Sequence, residues 1–217
     1  MATNNSRPRG RPRRFDLDQA VAIAQRLFHI HGYDAVSVAD LTDALGINPP
    51  SFYAAFGSKA GLYARVLDRY ASTGAIRLAD LLDPDRPVAD SLALLLEEAA
   101  RQYAADPDSN GCLVLEGTRC NDREAREAAR VFHAAAEEMI RCYVAARHPK
   151  DAGRVMDFVG TTMAGLSAKA RSGHGLGQLL ASARLAGLAL AQTLPADASE
   201  TAAAFEKKDT SAPMPTE

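Results

Sequence analysis

Residues 37–56 combine the residue types and the spacing of two short helices joined by a tight turn at Gly46. Ser37 and Asp40 form the pattern of a reciprocal helix cap, and Asn48 followed by two prolines is typical of a second helix start. This is the spacing of a helix-turn-helix, in which a short helix braces a second one whose exposed face enters the major groove of DNA. A corner between two helices of an ordinary bundle has the same spacing, so the spacing alone leaves both interpretations open.

The second helix of this pair has a face suited to DNA. By helical periodicity Phe52 and Phe56 face inward, together with Ile47. The opposite face then contains Asn48, Pro49, Pro50, Ser51, Tyr53, Ala54 and Ala55. Few of these side chains can hydrogen-bond a base, so contacts with thymine methyl groups and the shape of the DNA are expected to supply much of the specificity.

The first fourteen residues contain five arginines and no acid, although the net charge of the whole chain is only −2. The run Arg9-Gly10-Arg11-Pro12 resembles an AT-hook, whose arginines lie in a narrow A·T-rich minor groove. A solubilising basic tail is the alternative. Beside a helix-turn-helix, contact of Arg9 and Arg11 with DNA is the favoured interpretation.

These segments must be positioned by helices. Of the 217 residues 47% are apolar and 24% charged, Trp is absent and only 6% are aromatic, a balance that favours an all-α fold. We predict about nine helices. The domains expected are a flexible arm (1–14), a DNA-binding domain (15–75), a ligand-binding and dimerisation domain (76–195) and a disordered tail (196–217). The helices expected after the first three are 59 to about 82, 87–105, 110–119, 122–147, 150–172 and 176–194. Asp16 is the expected cap of the first helix, and Asn121 is the expected cap of the helix at 122–147.

The run from Ser37 to Lys59, followed by Gly61-Leu62-Tyr63, resembles the DNA-binding segment of the TetR (tetracycline-repressor) family. In that family Thr or Ser opens the second helix, and the pattern aromatic-x-x-Phe-x-x-Lys closes the third helix and starts the fourth. Tyr53, Phe56 and Lys59 occupy these places. The resemblance covers about residues 15 to 65, and the remainder fits the family only in the number and length of its helices.

The resemblance implies roles for individual side chains. Tyr53 and Lys59 are expected to contact neighbouring phosphates, Ser37 to donate to a phosphate, and Thr42 to reach the DNA backbone or a base edge. The position before Phe56 is often His in the family and is Ala55 here, which removes a phosphate donor.

The last two predicted helices indicate a homodimer. Helix 176–194 is apolar nearly all round and rich in small residues, so it must be buried on every side, and helix 150–172 is apolar on two faces. A fully interior helix of a monomer is the alternative. The resemblance implies a four-helix bundle built from these helices of two subunits, which spaces two DNA-reading helices for a palindromic operator.

The resemblance also implies a pocket for a small-molecule effector among helices four to eight. The candidate lining residues are Tyr103, Cys112, Phe132, His133, Met139, Met156 and Met163. For the apolar ones plain core packing is the competing interpretation, and His133 is expected to be partly exposed. Arg119 is a candidate partner for an anionic ligand, with a solvated arginine as the more usual alternative.

Cys112 follows Gly111 near a predicted helix start, where the helix dipole can lower a thiol pKa. Some TetR-type regulators with Gly-Cys at this place sense electrophiles or oxidants. An inert buried cysteine is the alternative.

Nothing in the sequence indicates an enzyme, a cofactor or a metal site. There is no phosphate-binding glycine loop, no His-Glu-x-x-His and no Gly-x-Ser-x-Gly, and the three cysteines lack zinc spacing. No apolar run is long enough to span a membrane and no signal peptide is found, so a cytoplasmic location is expected. The sequence thus predicts a ligand-responsive, homodimeric, DNA-binding repressor. An activator, a thiol sensor and a ligand-independent adapter remain the alternatives.

Overall fold

The computed structural model describes residues 16–194, and within that range the chain forms ten α-helices and no strand. The predicted all-α class is confirmed. The helices are α1 (Leu17–His31), α2 (Val38–Leu45), α3 (Pro49–Phe56), α4 (Lys59–Thr73), α5 (Leu78–Leu81), α6 (Val88–Tyr103), α7 (Leu113–Gly117), α8 (Arg123–Ala145), α9 (Ala152–Arg171) and α10 (Leu176–Thr193).

The first three helices begin at the predicted caps, Asp16, Ser37 and Asn48. The Ser37 hydroxyl accepts the N–H of Asp40 at 3.1 Å, and the Asp40 carboxylate accepts the N–H of Ser37 at 2.8 Å. Gly46 follows α2 with φ at 65°, a left-handed conformation that side-chain-bearing residues rarely adopt. The left-handed Gly46 lets the chain turn from α2 into α3.

Two helix boundaries differ from prediction. Helix α4 ends at Thr73 instead of continuing to about Leu82, because the N–H of Ala75 turns back to the carbonyl oxygen of Tyr70 at 2.8 Å, one residue out of step with the helical bonds. Glycine has low helix propensity, and the chain restarts in the single turn of α5. Helix α7 is likewise shorter than the predicted 110–119.

The cap of α8 is also one residue away from the expected Asn121. The carboxylate of Asp122 accepts the N–H groups of Glu124 and Ala125 at 2.9 and 3.1 Å. The N–H of Asn121 is instead donated to the carboxylate of Asp34 at 2.9 Å. A contact between distant segments therefore uses the residue that the local pattern assigned to the cap.

The buried side chains form two clusters. The first joins α1–α4 to α7 and the start of α8, and it includes Phe28, Phe52 and Tyr63. The second joins α5, α6, α8, α9 and α10. Cys112 packs against both clusters. Helix α4 packs against α1 and also against α8, so it connects the helix-turn-helix to the larger helical part.

Helix α10 is not buried on every side within one subunit, which opposes the alternative of a fully interior helix of a monomer. Leu179, Ala183 and Leu190 are buried, but Leu185 and Leu188 are 68% and 64% exposed. Phe158 of α9 is 40% exposed. Despite these apolar side chains, none of the helices in residues 16–194 combines the length and hydropathy needed to cross a bilayer.

Gly117 provides a test of the packing between α7, α4 and α8. A methyl group there would overlap the Tyr63 hydroxyl and approach the Ala129 methyl at 2.7 Å. We expect Gly117→Ala to lower the free energy of unfolding by about 1–3 kcal/mol in urea denaturation, because a full core cannot absorb the added volume.

The matched control is Gly153→Ala in α9, where an added methyl meets nothing within 4 Å. This change should leave stability unchanged or raise it by up to about 1 kcal/mol, since alanine is the better helix former. Equal effects of the two substitutions would contradict the packing described.

Candidate DNA interface and effector cavity

Helix α3 has one buried face and one exposed face. Phe52 and Phe56 are buried, and their ring centroids are 5.4 Å apart. The other face exposes Asn48, Pro49, Pro50, Ser51, Tyr53 and Ala54. Helical periodicity predicts Ala55 on the exposed face as well. In the structure Ala55 is half-buried against the first cluster, so that prediction is wrong.

The amino end of α3 has few groups left for a phosphate. Pro49 and Pro50 have no N–H, and the N–H of Ser51 is donated to the side-chain oxygen of Asn48 at 2.9 Å. Helix starts usually bind anions through free N–H groups. At the start of α3, contact with DNA therefore has to be made by side chains.

Two of the expected DNA-contacting hydroxyls are engaged inside the protein. Thr42 is only 4% exposed and donates to the carbonyl oxygen of Ala39 at 2.9 Å, so its burial corrects the prediction that it reaches DNA. The Ser37 hydroxyl is exposed but donates to the Asp40 carboxylate at 2.6 Å. Ser37 can donate to a phosphate only after that bond breaks.

Lys59 is also held within the protein. Its ammonium donates to the carbonyl oxygens of Tyr33 and Val36 at 3.0 and 2.9 Å, and it lies 4.0 Å from the centroid of the Tyr33 ring. These contacts fasten the start of α4 to the loop between α1 and α2. The structure thus gives Lys59 a bracing role, and its expected phosphate contact stays a prediction.

The helix-turn-helix part is not basic. Residues 16–73 contain six aspartates and four basic side chains, a net charge of −2 with His neutral. One of those basic side chains, Arg26, is 3.6 Å from Asp108. Another, Lys59, donates to the two carbonyl oxygens described above. Arg9 and Arg11, the predicted minor-groove contacts, lie outside the described residues.

Several polar contacts join the helix-turn-helix to the larger helical part. The Tyr33 hydroxyl donates to Asp122 at 2.9 Å. The Arg171 guanidinium of α9 donates to the carbonyl oxygens of His29 and Asn110 at 3.0 and 3.1 Å. Burial lowers the pKa of His29, so its neutral ring donates to the carbonyl oxygen of Gly111 at 3.2 Å.

A cavity of about 490 Å³ lies between α4, α5, α7, α8 and α9. All seven predicted effector residues line it: Tyr103, Cys112, Phe132, His133, Met139, Met156 and Met163. Sequence reasoning missed Tyr70, Glu137 and Gly160, which also line it. The signal that could have found Glu137 is its spacing on α8, since His133, Glu137 and Ile140 are four and three residues apart and so share one helix face.

The Cys112 thiol lies at one wall of this cavity, where it interacts with the hydroxyls of Tyr70 and Tyr103. Its backbone N–H donates to the Ser167 hydroxyl at 2.9 Å. Burial raises the pKa of the Cys112 thiol, which corrects the expectation that a helix dipole lowers it. Helix α7 is too short for its dipole to outweigh desolvation.

The remaining polar predictions have mixed outcomes. His133 is half-buried, as expected, and its Nδ1 lies 3.7 Å from the Glu137 carboxylate. Arg119 is exposed and is not part of the cavity wall. The structure therefore does not place Arg119 where it would bind an anionic ligand in this cavity.

The bracing role of Lys59 can be measured without DNA. Lys59→Met removes two charge-assisted hydrogen bonds to buried carbonyl groups, and we expect it to lower the free energy of unfolding by about 1–3 kcal/mol. Lys150→Met, at an exposed loop position, should change it by less than about 0.5 kcal/mol. A Lys59→Met protein as stable as the wild type would show that these bonds do not brace the domain.

Comparison with known proteins agrees with this geometry. The family model for bacterial regulatory proteins of the tetR family matches residues 21–66. The chain is 55% identical over 190 residues to the HTH-type transcriptional repressor BdcR of Escherichia coli (strain K12), covering 88% of this chain and 96% of that one. It is 30% identical over 195 residues to the repressor ComR of the same organism, covering 83% and 93%.

A solved structure gives the same result. It is a cysteine mutant of the TetR family regulator CifR bound to a 26-bp operator duplex, with 32% identity and a TM-score of 0.70 over 83% of this chain and 99% of that one. The chain therefore belongs to the TetR family of bacterial regulatory proteins and is a DNA-binding transcriptional regulator.

Proposed function

We propose that this protein is a homodimeric repressor that binds a palindromic operator through α3 and releases it when a small molecule enters the cavity. The observation that carries the proposal is the position of α4. Its start follows α3 after only Gly57 and Ser58, and its last turns line the cavity at Tyr70 and Ala71. The relatives BdcR and ComR are both named as repressors. Such a role requires a cytoplasmic location, where bacterial DNA lies.

The exposed face of α3 is the proposed reading surface. Tyr53, which is 51% exposed, contacts a phosphate. Pro49, Pro50 and Ala54 lie against base edges, where small apolar groups contact thymine methyls. Asn48 and Ser51 are the polar groups on this face. Base contacts of this kind are few, so DNA shape contributes to the choice of site.

The arginine-rich arm provides the positive charge that residues 16–73 lack. Its five arginines change the net charge of residues 1–73 from negative to positive. Arg9 and Arg11 occupy the minor groove beside the helix-turn-helix, where the potential of an A·T-rich groove is most negative.

The dimer forms through α9 and α10. Phe158, Leu185 and Leu188 are exposed on these two helices, and apolar side chains of this size are usually buried in an interface. Pairing them places two copies of α3 about 34 Å apart, as successive major grooves of a palindrome require.

Release follows from a shift of α4. A ligand that contacts Tyr70 and binds the DNA-incompetent arrangement more tightly draws the population toward that arrangement. Because α3 and α4 are separated by a short turn, a displaced α4 changes the distance between the two reading helices. A cavity of about 490 Å³ favours this function over a ligand-independent adapter.

A second candidate is sensing of an electrophile or oxidant by Cys112. The favouring observation is that its thiol faces the cavity between two tyrosine hydroxyls. The raised pKa of Cys112 opposes it, because the thiolate is the reactive form. Non-covalent binding is therefore the primary proposal.

Selection from random duplex DNA with the purified full chain tests the dimeric repressor. We expect an enriched palindrome whose half-sites lie about one helical turn apart. The double variant Leu185→Glu/Leu188→Glu should sediment as a monomer and lose most of its affinity for the palindrome. Enrichment of a single unpaired half-site, with the double variant binding normally, would rule out this dimer.

Titration of the selected site against salt tests the arm. Deleting residues 1–14 should weaken binding and flatten the plot of log K against log salt by about 0.9 for each arginine that contacts a phosphate. Deleting residues 196–217 serves as the control and should leave the slope unchanged. An unaltered slope without the arm would show that Arg9 and Arg11 do not contact DNA.

A further inference from the structure

Most of the cavity wall is apolar, and its charged groups are few. Apart from the Cys112 thiol and the two tyrosines, the lining side chains that can carry charge are Arg77, Asp80, His133 and Glu137. Arg77 and Asp80 pair with each other at 2.8 Å and are 80% and 56% exposed, which places them at the outer edge. The charges of Arg77 and Asp80 cancel, so this pair adds no net charge to the cavity.

Glu137 is the exception. A methyl group built at Gly160 would lie 3.5 Å from Glu137 Oε1, so the carboxylate of α8 reaches the backbone of α9 at the cavity wall. The His133 Nδ1 at 3.7 Å is beyond hydrogen-bond distance but within ion-pair range, and 44% of the Glu137 side chain is exposed. Within residues 16–194, Glu137 forms no ion pair with a lysine or arginine.

The rest of the wall suits an apolar cation. Tyr70, Tyr103 and Phe132 present aromatic rings, which attract positive charge through their faces. The thioethers of Met156 and Met163 are soft and adapt to apolar shapes. An anion would meet the Glu137 carboxylate, and among the lining residues only His133 beside it is a basic side chain that Asp80 does not already pair.

We propose that the effector is a small apolar molecule with one positive charge, such as an arylalkyl amine. Its ammonium group pairs with Glu137, and its apolar body lies among the methionine and aromatic side chains. This inference rests on the proposed effector function of the cavity. It names the chemical class that the cavity selects.

Three probes with one apolar body and different end groups test the charge preference: 4-phenylbutylamine, 4-phenylbutan-1-ol and 4-phenylbutyrate. Titration calorimetry with the full chain should show the amine binding about tenfold more tightly than the alcohol. The carboxylate should bind most weakly. Glu137→Gln should remove the advantage of the amine and leave the affinity for the alcohol within about twofold.

Glu138→Gln is the matched control. Glu138 is the adjacent acid on α8, but it is exposed, pairs with Arg141 and does not line the cavity. This variant should keep the full preference for the amine. Equal affinity for all three probes, no binding of any of them, or an unchanged preference in Glu137→Gln would overturn the inference.

Operator release separates this inference from the function on which it rests. Release of the selected duplex by the amine and the alcohol at equal affinity would keep the effector site and refute its charge preference. Tight, Glu137-dependent binding of the amine without release would keep the charge preference and refute the effector function. We expect the amine to release the operator duplex at a lower concentration than the alcohol or the carboxylate.

Discussion

The contacts of α4 with both α1 and α8 are the constraint on which the rest of the structure depends. Tyr63 in the middle of α4 is fully buried, with its ring 5.1 Å from Phe28 and 4.8 Å from Tyr33. Buried aromatic pairs resist separation because each ring loses a large contact area and a specific geometry. Helix α4 therefore moves only together with its neighbours.

The two ends of α4 make different contacts. At its start Lys59 holds the loop between α1 and α2, and at its end Tyr70 forms part of the cavity wall. Beyond Tyr70 the helix stops at Gly74, and α5 begins without a side-chain cap. In the proposed release, α4 tilts together with the helices packed against its middle, and the break at Gly74 separates that movement from α5.

Local sequence patterns predicted the helix starts that depend only on hydrogen bonds within one turn. Asp16, Ser37 and Asn48 cap their helices by bonds to residues within one turn, so these starts could be predicted from spacing alone. Asn121 and Asp122 could not be distinguished in that way. Either has a side chain that can cap α8, and the contact made at this point by Asp34, which is distant in the sequence and accepts the backbone N–H of Asn121, is not visible in the local pattern.

The same distinction applies to the candidate sites. The exposed face of α3 follows from helical periodicity, and so does its buried pair of phenylalanines. The engagement of Lys59 by two carbonyl oxygens and the burial of Thr42 depend on how the α1–α2 loop and the helices pack, which no spacing records. Cys112 shows the limit most clearly, because a helix start favours the thiolate but burial between two clusters opposes it more strongly.

The charge of the helix-turn-helix part and the exposed leucines of α10 are connected. With a net charge of −2 in residues 16–73, a single reading helix gains little from the phosphates and has few polar groups for the bases. Linking two such weak contacts makes the second binding event intramolecular, so a modest affinity becomes a high one only on a site with matching spacing. The 68% exposure of Leu185 in one subunit is then no defect of packing. In the proposed dimer it is the surface that would make a DNA reader with few charges of its own selective for paired half-sites.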